Sequence, residues 1–440
     1  MLSLVTRVPV SGSIESVTTI ATDREVDPRS VGLDGAGIDA IWRAVESLYA
    51  AGVHPAMQLC IRRRGKVVID RAIGYAKGGG PHDPADGQRT LATPDTPFNV
   101  FSASKAVTAM LIHLLDQQHL LHLDDPVCEY IPEFAMHGKR WITIRHVLTH
   151  RAGVPNIPPE AMRLDLLNEP AEILRMLCAA RPVSRAGRRL AYHAISGGFL
   201  LGEIVRRVTG DDIRTVLACE ILERLGFRWM NYGVAPEDVD RVASNHFTGL
   251  PVLPPVSWIF RRFLGVEFER VPELGNDPRY LTAIVPSGNV IATANELSRF
   301  YQLLLNGGEL DGVRIFEPRT IRRAVSEQSY LEFDFSLAMP VRYGMGFMLG
   351  SRWMSFWGPD TFHAFGHIGF ITVLGWADPE RQITVALMTS GKPLLYPEIG
   401  RFAAISREIS RVCPKEPGFD WWDALSRDER ERSAMPRKSV

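Results

Sequence analysis

Hydrophobic positions along the chain switch between two periods, and the switches divide it into elements. Over residues 33–51 the apolar residues Ile38, Ile41, Val45 and Leu48 recur at three and four positions, which predicts a helix at the start of the folded domain. Residues 56–74 alternate instead. Met57, Leu59 and Ile61 precede the polar turn Arg63-Arg64-Gly65-Lys66, and Val67, Val68 and Ile69 follow it, a β-hairpin pattern. Residues 74–97, rich in Gly, Pro and Asp, read as a loop leading to Phe98. The next element, over 103–121, has Val107, Met110, Leu111, Leu114 and Leu115 on one helical face.

From 122 to 280 the pattern is mostly helical, with breaks at Pro132, Gly153-Val154-Pro155, Pro182 and Gly210, and reads as an insertion. After Gly288 an amphipathic helix over 296–305 is followed by strand patterns near 343–349, 370–377 and 382–389. The last two pair about Asp378-Pro379-Glu380-Arg381. Residues 1–30 and 414–440 are aperiodic and are expected to be an N-terminal extension and a loosely held tail. The implied organisation is one domain from 31–121 and 281–413, interrupted by a mainly helical domain over 122–280.

A chain of 440 residues, 45% of them hydrophobic, can bury a core of that size. The 50 basic and 50 acidic residues cancel, with no basic tract among stacking aromatics, so nucleic acid is not an expected partner. Cys60, Cys128, Cys178, Cys219 and Cys413 are odd in number and far apart, which suits a reducing compartment rather than a disulfide framework. No secretory start or membrane-length apolar run is present, so a cytoplasmic protein without stable membrane insertion is expected. One segment stands out. Residues 251–264 concentrate proline, aromatic and basic residues, a pattern shared by a buried crossover, a lid and a membrane-facing patch.

Ser102 and Lys105 stand three residues apart where that loop meets the helix, so the lysine amine falls beside the serine hydroxyl one turn on. A serine needs such a neighbour to lose its proton, and the positive end of a helix favours an oxyanion and disfavours an ammonium. This is the single S-x-x-K in a chain where lysine is scarce. There is no G-x-S-x-G elbow and no glycine-rich phosphate loop, so no cofactor is indicated. His146 and His150 have zinc-compatible spacing, but Val147 stands where a zincin has its glutamate; they read as a helix end, and no metal is expected.

With these residues in place the sequence resembles the serine β-lactamase-like superfamily, particularly the family VIII carboxylesterases related to class C β-lactamases and D-alanyl-D-alanine carboxypeptidases. The likeness spans residues 38–390. It rests on Ser102-x-x-Lys105, the helix-to-turn segment 142–155, Tyr192 in Leu190-Ala-Tyr-His-Ala-Ile-Ser, Val285-Pro-Ser-Gly-Asn289 through Gly307-Gly-Glu-Leu-Asp-Gly312, and His367-Ile-Gly369 followed by Phe370. The resemblance implies an α/β sandwich of α+β type, a central antiparallel sheet flanked by helices, with an inserted helical domain. It also implies roles. Ser102 is acylated, Lys105 helps deprotonate it, and Tyr192 serves as general base and then as acid for the leaving group. A phenol needs nearby positive charge for that task, expected from Lys105 and His367. The N–H groups of Ser102 and Phe370 form the oxyanion hole.

Two departures narrow the chemistry. Penicillin-recognising members have Tyr-x-Asn and Lys-Thr-Gly, where this chain has Ala194 and His367-Ile368-Gly369. A neutral histidine binds a substrate carboxylate poorly, so the expected substrate is a small-molecule ester. Phe101, His193, Trp258, Trp353 and Trp357, with Phe356 and Phe370, are the candidates for its pocket. The alternatives are an acyltransferase, a β-lactamase or D,D-peptidase on the same fold, and a binding module that has lost the chemistry.

Overall fold

An antiparallel sheet, built from both halves of the chain, forms the centre of the computed structural model, which describes residues 4–10, 13–84, 86–157, 163–418 and 420–426. Its strands are β1 (Thr18–Ile20), β2 (Ala56–Arg63), β3 (Lys66–Lys77), β4 (Ser329–Asp334), β5 (Met339–Tyr343), β6 (Met348–Leu349), β7 (Phe365–Gly369), β8 (Val373–Asp378) and β9 (Ile383–Thr389). They lie in the order β1-β3-β2-β9-β8-β7-β6-β5-β4, and a tenth strand, Thr90–Leu91, pairs with β3 off this path. The β2–β3 turn has Arg64 and Gly65 at φ 50° and 79°, the left-handed pair that matches the twist of a hairpin. β2 also pairs with β9, Cys60 opposite Ala386, and this register joins the two halves.

Strand alternation sends each side chain to one of two helical layers. Met57, Leu59 and Ile61 of β2 and Val385 and Leu387 of β9 share a core with Ile41, Val45 and Leu48 of α1 (Gly35–Tyr49) and Ile405 and Ile409 of α6 (Ile399–Val412). The opposite face presents small residues, Ala56, Cys60, Ala72 and Ala386, to α2 (Ser104–Gln117) and α5 (Ala294–Leu305). Small size lets the helix settle on the sheet. A Cβ added at Gly375 would stand 2.7 Å from the Tyr301 ring.

Between α2 and α5 run further helices, among them α3 (Ser196–Thr209) and the shorter α4 (Val256–Leu264), and the strand Asn231–Tyr232. That strand and Phe98–Asn99 flank Val290–Ala292 in a small sheet that steadies the entry to α2. α2 differs from its one-faced expectation. Ala106, Thr108, Ala109 and His113 are buried along with the predicted face, because α2 lies inside the molecule.

Several expectations need correction. The 1–30 segment is not a loose extension in its described part, since β1 pairs with β3 and the Val8 N–H donates to the Gly52 carbonyl at 2.8 Å. The tail is anchored as far as it is described. Trp421 is buried, stacks on Phe365 at 5.5 Å and donates its indole N–H to the Leu305 carbonyl, while residues 427–440 lie outside the described residues. The strand expected over 370–377 begins at Val373, because Phe370 and Ile371 form the tight turn from β7. Among the described residues no helix is long and apolar enough to cross a membrane.

Candidate active site

Ser102 lies in the single 3-10 turn Phe101–Ala103 that runs straight into α2. The turn is held from both sides. Asn99 Oδ1 accepts the Phe101 N–H at 2.9 Å, and the buried Ser104 hydroxyl accepts the Val290 N–H at 2.9 Å while donating to the Phe101 carbonyl. These ties keep Phe101 at φ 47°, a conformation a bulky side chain rarely adopts.

The Lys105 amine touches three oxygens: Ser102 Oγ at 3.1 Å, the Ala194 carbonyl at 2.7 Å and the Ser287 carbonyl at 3.1 Å. No carboxylate is among them, and desolvation holds the amine well below the ordinary lysine value. A neutral amine has two N–H donors and one lone pair. The two carbonyls take the donors, which leaves the lone pair facing the Ser102 hydroxyl.

Tyr192 arrives on an extended segment whose successive N–H groups are all engaged. The Ala191 N–H donates to the His150 carbonyl at 3.0 Å, the Tyr192 N–H to Asp334 Oδ1 at 3.0 Å, and the His193 N–H to His150 Nδ1 at 3.2 Å. The His150 ring packs on the Tyr192 ring at 4.6 Å. The phenol hydrogen-bonds Ser102, and Lys105 Nζ stands 4.8 Å from its ring centre. Burial raises the Tyr192 phenol above its ordinary value, against the expectation of a phenol made acidic by neighbouring charge. Burial works against both of the expected cations. Burial lowers Lys105, and it takes His367 to about 3, so the histidine is neutral. His367 Nδ1 lies 2.7 Å from the Ile368 carbonyl, which in the neutral ring puts the proton on Nδ1.

Gly369 ends β7 against the turn before Ser102. A Cβ there would come within 2.0 Å of the Val100 carbonyl oxygen, so only glycine permits this approach. Phe370 and Ile371 follow at φ 29° and 75°. The Phe370 ring is sandwiched by Phe101 at 5.5 Å and Phe268 at 4.7 Å, and Phe268 in turn meets Phe260 of α4 at 5.0 Å.

Ser102, Lys105, Tyr192, His367, Gly369, Phe370 and Phe101 thus converge, but most of the proposed pocket residues do not join them. Trp258 and Trp353 point into solvent at 67% and 87% exposure. Trp357 is buried on Trp376 at 5.6 Å, with Phe356 beside it, in the core shared with α1. His193 turns inward to line a cavity of about 30 Å³ together with Lys105, His150 and Pro286, a cavity whose lining omits Ser102 and Phe370. Asp334, Ser104 and Phe268 were not found from sequence, and His150 was read only as part of a helix end. For Phe268 the only signal was the aromatic density just before it. His146 Nδ1 accepts the Thr143 N–H as a helix cap, and among the described residues no group of His, Cys, Asp and Glu side chains is placed to hold a metal ion.

The model of the family described as Beta-lactamase matches residues 42–406. The Esterase/beta-lactamase LipL of Mycobacterium tuberculosis is 31% identical over 387 residues, 84% of this chain and 86% of that protein. A penicillin-binding protein homologue from Caulobacter crescentus superposes with a TM-score of 0.73 at 27% identity, covering 87% of this chain and 99% of its own. A family VIII carboxylesterase shares the fold, with a TM-score of 0.72 at 23% identity over 85% of this chain and 98% of its own.

Proposed function

From the premise that this chain belongs to the Beta-lactamase family and is a serine hydrolase of that superfamily, we propose that it is a carboxylesterase, acylated on Ser102 and regenerated by water. The observation that carries the reading is the Lys105 amine, desolvated, held by two carbonyls and left with one partner, Ser102 Oγ.

In this reaction Lys105 takes the Ser102 proton as Oγ attacks the ester carbonyl carbon. The N–H groups of Ser102 and Phe370 receive the developing oxyanion. Collapse of the tetrahedral intermediate breaks the bond to the alcohol oxygen. The Tyr192 hydroxyl gives its proton to that oxygen and recovers one from the Lys105 ammonium. Water then repeats the sequence on the acyl-enzyme and frees the acid. A protonated phenol beside a neutral amine suits this division of labour better than tyrosinate as the first base.

The preference for esters is supported by what stands at 194 and 367. Ala194 offers its carbonyl to Lys105 but has no side-chain amide for a substrate amide, and neutral His367 is no anchor for a carboxylate. Ser102→Ala should abolish turnover of p-nitrophenyl butyrate, and intact-mass measurement should find a butyryl adduct on the parent protein alone. Activity retained by the variant would overturn the reading. A second reading, β-lactam hydrolysis through the same serine, is favoured by the double name of the mycobacterial relative. Nitrocefin turnover equal to ester turnover would select it. Product partitioning to an added alcohol would instead reveal acyl transfer, and failure of a fluorophosphonate to label Ser102 would indicate a non-catalytic module.

A further inference from the structure

α4 has two different faces. Its inner face belongs to the site: Phe260 rests on Phe268, Phe268 on Phe370, and Phe370 on Phe101, the residue before Ser102. Its outer face is bare. Trp258 is 67% exposed with Arg261 and Arg262 on either side of it around the helix, Ile259 is exposed beside it, and Val256 is partly exposed in the first turn of the helix. Leu253, at the approach to the helix, is 68% exposed. A second stretch of chain widens the patch, because the Leu250 N–H donates to the carbonyl of Leu395 at 2.8 Å and the Leu395 side chain is 53% exposed.

Large apolar side chains gathered in this way mark a contact surface. α4 contains two arginines and no acidic residue, and among the described residues Arg261 has an ion-pair partner, Glu267 at 3.2 Å. An indole between two guanidinium groups fits the boundary of an anionic bilayer, the ring at headgroup depth and the cations on phosphate oxygens. A protein partner would account for the outer face alone. A lipid surface accounts for both, since the ring contacts that run inward from α4 end at Phe101, beside the nucleophile.

We propose that α4, with Leu253 and Leu395 as its shoulder, docks on an anionic lipid surface and that lipophilic esters pass from that surface to Ser102. The delivery step rests on the carboxylesterase reading; the docking does not. α4 has nine residues, so it lies in the interface and does not span it.

The test is co-sedimentation of the full-length protein with vesicles of phosphatidylcholine alone and of phosphatidylcholine mixed with phosphatidylglycerol. Binding is expected on the mixed vesicles, and Leu253→Asp with Trp258→Asp should weaken it at least ~5-fold. The same variant should hydrolyse water-soluble p-nitrophenyl acetate at the parental rate, as both altered residues face solvent. Arg261→Gln with Arg262→Gln, which leaves the apolar residues alone, should remove the salt-sensitive part of binding. Absence of vesicle binding, equal binding to neutral vesicles, or binding unmoved by both variants overturns the proposal. So does self-association of the parent that the aspartate variant abolishes, since the patch would then cover a second copy. Loss of the carboxylesterase reading would be seen separately, as soluble-ester turnover that does not depend on Ser102.

Discussion

Phe268 holds Phe370 by ring stacking, with centroids 4.7 Å apart and planes 24° apart, and Phe370 is the residue whose N–H is assigned to the oxyanion hole. Left-handed backbone at Phe370 and Ile371 costs roughly 1–3 kcal/mol per residue, and it persists only where packing overrides it. Phe268→Leu keeps the bulk but loses the stacked ring. It is expected to lower kcat on a soluble ester about 10-fold with KM little changed, and Phe268→Tyr should restore it. A fall confined to KM would show that Phe268 binds substrate and does not position the turn.

Lys105 works as a base only when neutral, and its desolvated amine loses its proton well below the ordinary value of 10.5. Activity should therefore rise with pH through that depressed value and level off while an ordinary lysine is still charged. A pH profile of kcat/KM on a soluble ester checks this. Lys105→Met should cost about 10²–10⁴-fold in kcat.

Asp334 Oδ1 accepts the N–H groups of Tyr192, Ser336 and Leu337, at 3.0, 2.8 and 3.0 Å. Asp334→Ala leaves these donors without a partner at a cost of about 1–3 kcal/mol each where they stay buried. The thermal midpoint should fall, and labelling of Ser102 by a fluorophosphonate should slow. Asp334→Asn keeps one acceptor oxygen and should recover most of the labelling rate.

Gly369→Ala puts a methyl group 2.0 Å from the Val100 carbonyl oxygen. β7 must then move away from the Ser102 turn, separating the two candidate oxyanion donors. Ester turnover is expected to fall at least ~100-fold, with a cooperative unfolding transition still present. Parental turnover would show that the Phe370 N–H is not needed.

Burial lowers His54, His193 and His367 from 6.5 to about 3, and His113 to about 4. Below pH 6.5 the unfolded chain takes up protons that the native protein refuses, so stability is lost as pH falls from 6.5 toward those values. Asp70, raised from 3.8 to about 6, opposes this by holding a proton in the native state. His146, His150 and His246 are lowered as well and Glu46, Glu296 and Asp378 raised, so seven histidines stand against four carboxylates, and each unbalanced proton contributes a slope of ~1.4 kcal/mol per pH unit. Urea midpoints should decrease steadily from pH 7 to pH 5, and His193→Gln should flatten the decrease.

The features legible in the sequence are those set by short-range geometry. The β2–β3 and β8–β9 hairpins follow from alternation around polar turns, and the Ser102–Lys105 pairing follows from one turn of helix. Tyr192 and the His367-Ile368-Gly369 turn were reached through resemblance to a known family, because nothing local marks a tyrosine or a histidine as reactive. The groups that hold them were hidden. Asp334 meets the Tyr192 N–H from 142 residues away, and Phe268 meets Phe370 across a contact no period encodes. The segment 251–264 shows the limit most plainly. Its hydrophobic pattern gives α4 aromatic residues on both faces, Trp258 on one and Phe260 on the other. Burial depends on which surface a neighbour covers, so only the packing of Phe268 decided that Phe260 turns inward and Trp258 stays in water.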